Sequence, residues 1–97
     1  MTEFIMLMHD DAAGDATPDM WDSYLSFLRV RGAFDGGSAI GAGQTFRKQG
    51  TPHPVSEHLT GYIRVTAQSL EAAEELLPGN PVFECGGTVE IRELPRG

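Results

Sequence analysis

The segment EFIMLMH at residues 3–9 places the tightest limit on the fold. Read as a strand, it sets Phe4, Met6 and Met8 on one side and Ile5, Leu7 and His9 on the other, because successive side chains of an extended chain point to opposite faces. Both sides are apolar until His9. A strand of that kind belongs in the middle of a sheet with both faces covered. The rest of the chain must therefore supply a layer for one face, and something must meet the other.

The first candidate for that layer is TPDMWDSYLSFLRVRG, residues 17–32. Thr17 is placed to cap a helix and Pro18 to occupy its first position, while Asp19 and Asp22 suit the positive end of the helix dipole. Met20, Tyr24, Phe27 and Leu28 recur at helical spacing, and Trp21 and Leu25 widen the stripe. Arg29 and Arg31 suit the negative end, and Gly32 is a natural stop. Trp21, Tyr24 and Phe27 are read as core or interface residues rather than as a cofactor box.

A glycine-rich strand is expected from about Gly37 to Phe46, weakened or bulged by Gly37, Gly41 and Gly43. RKQGTPHPVSEH is read as a loop on its Gly and Pro content. In LTGYIRVTA, Ile63 and Val65 alternate with Tyr62, Arg64 and Thr66. SLEAAEELLPG predicts a helix capped by Ser69, with Leu70, Ala73 and Leu77 buried and Pro78–Gly79 ending it. NPVFECGG follows as a loop. TVEIREL closes as a strand, with Val89 and Ile91 inward and Thr88, Glu90 and Arg92 outward.

The order β-α-β-β-α-β over a single domain, residues 1–97, predicts a ferredoxin-like α+β sandwich with an antiparallel sheet and both helices on one face. The uncovered face would carry Tyr62, Arg64, Glu90 and Arg92, and the register decides whether Ile5, Leu7 and His9 join it. A mixed apolar and charged face suits a homodimer interface enclosing a small polar pocket.

Charge narrows the partners. The 14 acidic residues against 7 basic ones leave a net charge of −7, and Lys48 is the one lysine. Neutralising phosphates takes clustered Lys and Arg, so neither nucleic acid nor an anionic membrane surface is an expected partner. With Cys85 alone no intrachain disulfide forms, and Cys85 is read as a half-buried turn residue. MTEFIMLMHDD lacks a basic leader and its apolar run is too short to span a membrane, so a reducing cytoplasm is the expected location.

His9 followed by Asp10 is the sharpest candidate for chemistry. A carboxylate beside an imidazole fixes its tautomer and raises its basicity, which makes a general base. Neighbours on a strand point apart, however, so sequence adjacency alone does not bring Asp10 to His9, and a strand-end histidine with solvated aspartates remains the alternative. His9, His53 and His58 have no compact metal-ligand spacing, and Asp10, Asp11 and Asp15 lack the alternating pattern of a calcium loop. GGSAIGAG lacks the strand–helix setting of a dinucleotide site. No metal or cofactor is expected. Arg64, Glu90 and Arg92 read either as cross-strand ion pairs or as an anion-binding set, with Arg64 or Arg92 holding a carboxylate or phenolate and Tyr62 donating a hydrogen bond.

GYIRVTAQSLEAAEELLPGNPVFECGGTVEIRELP resembles the YCII-related (DGPF-domain) family of small bacterial proteins in its G-Y strand, S-L-E-A-A helix, N-P turn and GGTVEIR strand. FIMLMHDD is similar to the first strand and acidic loop of that family. The Asp-Gly-Pro-Phe motif itself is absent, with PVSEHLTG near its place. The resemblance implies a ferredoxin-like protomer pairing sheet to sheet as a dimeric α/β barrel, with a His–Asp pair near the cleft. It also implies small-molecule chemistry: neighbours in that superfamily include lyases and dehydrochlorinases of hydroxylated aromatics, isomerases and cofactor-free monooxygenases. On these grounds His9 and Asp10 are the candidate catalytic residues of a cofactor-independent lyase or isomerase, and Tyr62, Arg64 and Arg92 the candidate substrate-binding ones. A non-catalytic dimeric ligand-binding or accessory module is the alternative.

Overall fold

EFIMLMH is the inner strand that its two apolar sides require. In the computed structural model, which describes residues 1–96, β1 (Thr2–His9) pairs antiparallel with β3 (Leu59–Ala67) on one side and β4 (Val89–Leu94) on the other. β2 (Phe34–Ala39) pairs with β3, and the order across the four-stranded sheet is β2-β3-β1-β4. Three helices complete the fold: α1 (Pro18–Val30), α2 (Leu70–Glu74) and α3 (Pro81–Glu84). This is the ferredoxin-like α+β arrangement expected from the element order.

The core lies between the sheet and the helices. Phe4, Met6 and Met8 from β1 join Ile63, Val65 and Ala67 from β3, Tyr24 and Leu28 from α1, and Ala73 and Leu76 from the α2 region. Tyr24 is buried to 2% exposure, and its hydroxyl donates to the Leu76 carbonyl at 2.7 Å and lies 3.5 Å from Met6 Sδ. That carbonyl is available because the chain tightens after α2, with Leu76 N–H and Leu77 N–H bonding three residues back to Ala73 and Glu74. The predicted long second helix is therefore shorter than its apolar spacing suggests.

α1 starts and stops on the signals in its sequence. Thr17 Oγ1 accepts from Met20 N–H at 3.2 Å, Pro18 is first in the helix, and Gly32 beyond its end adopts φ +69°. The expected loop at NPVFECGG contains α3 instead. Buried Asn80 caps it, its Oδ1 accepting from Val82 and Phe83 N–H, and Pro81 takes the first helical position.

The second strand also differs from its expected span: it ends at Ala39 rather than Phe46. β3 explains this, because Ala39 already pairs with Gly61 and Ile40 N–H reaches Thr60, so further residues have no neighbouring strand to bond. Residues 40–58 run out without helix or strand, and Phe46 stands 86% exposed. Within β2, Asp35 and Gly36 together oppose the single residue Arg64, a bulge that turns Asp35 toward that guanidinium.

The principal dimensions are 46 × 36 × 19 Å, and the short one is the thickness of one sheet and one helix layer. The second face of the sheet is accordingly open within the protomer. None of the described helices is long and apolar enough to cross a membrane.

Candidate functional site on the open sheet face

Register places the outward residues in rows. Leu7 lies between Tyr62 and Glu90, and Ile5 lies between Arg64 and Arg92. His9, two residues beyond Leu7, is the diagonal neighbour of Glu90 on this face. Its Nε2 stands 3.1 Å from Glu90 Oε1. The His58 ring meets it edge to face with centroids 4.8 Å apart. His58 is carried there by the main chain, because its carbonyl accepts from Asp10 N–H at 2.9 Å.

The carboxylate that His9 meets is thus Glu90, from the far strand, rather than its chain neighbour Asp10, whose side chain is exposed. Glu90 also takes a hydrogen bond from Arg92 Nη1 at 3.2 Å. The bond to His9, and then that to Arg92, holds the Glu90 carboxyl below its usual range, so it stays ionised. An ionised acceptor at Nε2 favours the tautomer with the proton on that nitrogen and leaves the lone pair on Nδ1.

The aspartates that follow His9 divide in role. Asp11 clamps its loop to the start of β4, accepting from Thr88 N–H at 2.7 Å through Oδ1 and from Thr88 Oγ1 at 2.6 Å through Oδ2. Those two bonds hold its carboxyl below the usual range. Asp10 and Asp15 are exposed. Among the described residues no group of three or more His, Cys, Asp or Glu side chains gathers as a metal site would require.

Arg64 is the most heavily engaged of the predicted binding residues. Its Nη2 lies 3.1 Å from Glu3 Oε1 and 3.5 Å from Asp35 Oδ2, while Nε is buried without a partner. Two carboxylates on one guanidinium match the cross-strand ion-pair reading. Arg92 is more available: 69% of its side chain is exposed, and Glu90 is its one ion partner among the described residues. Tyr62, in the Leu7 row across from Glu90, is half-buried. The face therefore gathers His9, Glu90, Arg92 and Tyr62 along its β1–β3–β4 rows, with Arg64 tied toward β2.

Glu90 and His58 are the two members of this group that sequence reading did not single out for His9. Glu90 was legible as an outward residue of the last strand, but its meeting with His9 depends on a register that alternation leaves open. His58 carried no periodic signal at all.

No family model matches the chain, and no curated protein matches it in sequence. Among solved structures it is similar to the 5-chloro-2-hydroxyhydroquinone dehydrochlorinase of Burkholderia phenoliruptrix AC1100, solved in complex with 2,5-dihydroxybenzoquinone. The TM-score is 0.56 at 13% identity, over 98% of this chain and 95% of that one. At this identity the likeness speaks for architecture: the chain shares the α+β fold of that enzyme over nearly its whole length.

Proposed function

We propose that the protein is a YCII-like, cofactor-independent enzyme of lyase or isomerase type, acting on a small polar or aromatic molecule on the open sheet face. The observation that carries this reading is the 3.1 Å contact between His9 and an ionised Glu90 on the sheet face opposite the helices, where Ile5, Leu7 and Tyr62 stay only partly buried. In the reaction, His9 Nδ1 removes a proton from the substrate and Glu90 steadies the imidazolium that forms. Arg92 and Tyr62 hold the phenolate or carboxylate that such a substrate presents. Arg64 orders the neighbouring row through Glu3 and Asp35. Asp10 contributes through its main-chain bond to His58. Proton transfer of this kind is chemistry that side chains perform unaided, and the similar dehydrochlorinase suggests hydroxylated aromatics as the first substrates to try.

In this reading a second copy covers the face, making a homodimer with the site between two sheets. Apolar Ile5 and Leu7 in the centre, with charged residues around them, give the composition of an interface that also encloses a polar cleft. The acidic balance of −7 goes with small-molecule work rather than nucleic acid or membrane binding, and free Cys85 with a reducing cytoplasm.

Arg64, ion-paired to both Glu3 and Asp35, favours one second reading, a non-catalytic dimeric ligand-binding or accessory module whose ion pairs serve assembly. A panel of hydroxylated and chlorinated aromatics separates the two, with chloride release and ultraviolet spectra followed together. The enzyme reading expects turnover of at least one compound by a species whose light-scattering mass is that of a dimer. Binding without turnover across the panel favours the module, and a monomer at micromolar concentration removes the sheet-to-sheet dimer.

A further inference from the structure

The opposite face of the sheet carries a cavity that His9, Glu90 and Arg92 do not border. It lies between α1 and the β2–β3 pair and has a volume of about 390 Å³. Met8, Trp21, Leu25, Phe34, Ile63 and Val82 supply its apolar wall, and Ser38, Thr60 and Tyr62 are its polar lining residues. No acidic, basic or histidine residue borders it, in a protein of net charge −7.

Two backbone positions at the cavity carry no side chain: Gly37, which pairs with Ile63, and Gly61, which pairs with Ala39. A Cβ on Gly37 would sit 2.6 Å from the Tyr62 carbonyl oxygen and 3.2 Å from Ile63 Cα. One on Gly61 would sit 3.2 Å from the Ser38 carbonyl oxygen and 3.4 Å from Met8 Cε. The close strand approach thus leaves no room for a side chain at either glycine, and the cavity meets bare backbone there. Trp21, Leu25 and Phe34 stay only partly buried, although each packs against the core. Roughly 300–1,000 Å³ is the usual range for small-molecule pockets, and an apolar wall with a few polar groups is their usual lining.

We propose that this cavity is a binding site for an uncharged, flat ring compound. The aromatic wall of Trp21 and Phe34, beside bare backbone at Gly37 and Gly61, selects a planar ring, and the lack of any charged lining group selects against an ionised one, whose desolvation nothing in the cavity would offset. The site lies on the helix side of the sheet and excludes His9, Glu90 and Arg92; Tyr62, whose side chain belongs to the open face, borders it as well.

Trp21 is the single tryptophan and borders the cavity, so its emission reports occupancy directly. Full-length protein is titrated with N-phenyl-1-naphthylamine, an uncharged probe, and in parallel with 8-anilinonaphthalene-1-sulfonate, which carries similar rings and a sulfonate. The expected result is saturable one-to-one quenching by the uncharged probe and at least tenfold weaker binding of the sulfonate. Ala39→Leu and Val82→Phe fill the cavity from different walls, and each variant that keeps its cooperative melting transition should bind the probe at least tenfold more weakly. His9→Asn should bind it as the wild type does. Non-saturable quenching, equal binding of the two probes, wild-type affinity in a folded cavity-filling variant, or loss of binding in His9→Asn would each overturn the proposal.

Discussion

His9 and Glu90, 81 positions apart in the chain, meet at 3.1 Å because β1 and β4 are antiparallel neighbours in which Leu7 faces Glu90 and His9 lies one step further on the same side. The contact fixes a tautomer that can be measured. Long-range proton–nitrogen correlation spectra of the neutral imidazole should show the proton on Nε2, and Glu90→Gln should weaken that preference. A proton on Nδ1 in the wild type would contradict the arrangement.

The Asp11 clamp on Thr88 gives an acid-side signature. The folded carboxyl lies below its ordinary value of 3.8, so its stabilisation is fully present above the unfolded value and is lost as pH falls through the folded one. Glu90, held below 4.5 by His9 and Arg92, acts with the same sign. Asp11→Asn should therefore flatten the fall of Tm below about pH 4 while lowering Tm at neutral pH, as thermal melts across pH would show. An unchanged slope would mean the clamp is not populated in solution.

Tyr24 gives the opposite, alkaline signature. Burial pushes its hydroxyl up to about 12, so the unfolded phenol ionises first and stability falls as pH rises from its ordinary value of 10.0 toward the folded one. Tyr24→Phe should remove that fall. It also leaves the Leu76 carbonyl without its 2.7 Å donor, which should cost about 1–3 kcal/mol at neutral pH by denaturant titration.

Met6 and Phe46 set the two ends of the packing scale. Met6 is fully buried in the middle of the sheet, so Met6→Ala should cost roughly 2–5 kcal/mol, a large share of the stability of a small domain. Phe46→Ser, at 86% exposure, should change protomer stability by less than about 0.5 kcal/mol in the same titration.

The contrast between α1 and β2 shows what was legible in the sequence. Thr17, Pro18 and Gly32 act locally, each within one turn of its own position, so the helix ends could be read without knowing the fold. The outward row Tyr62, Arg64, Glu90 and Arg92 followed from strict alternation in β3 and β4. β2 offered no such signal. Its glycines give no alternation, and its end is set by where β3 runs out. α3 had its signal in Asn80 and Pro81, but its span of four residues is too short for periodicity to register. The candidate site was legible only in part for the same reason: His9, Tyr62, Arg64 and Arg92 could be assigned to a face, whereas Glu90 as the partner of His9 is a consequence of register.

His9 is proposed to remove a proton on the open sheet face. The most direct test of that role is the ratio of initial rates of wild type and His9→Asn, with whichever hydroxylated aromatic the wild type turns over best. A general base predicts a fall of roughly 10²–10⁴-fold with the melting temperature preserved, and partial recovery on adding free imidazole. Equal rates in the two proteins would contradict it.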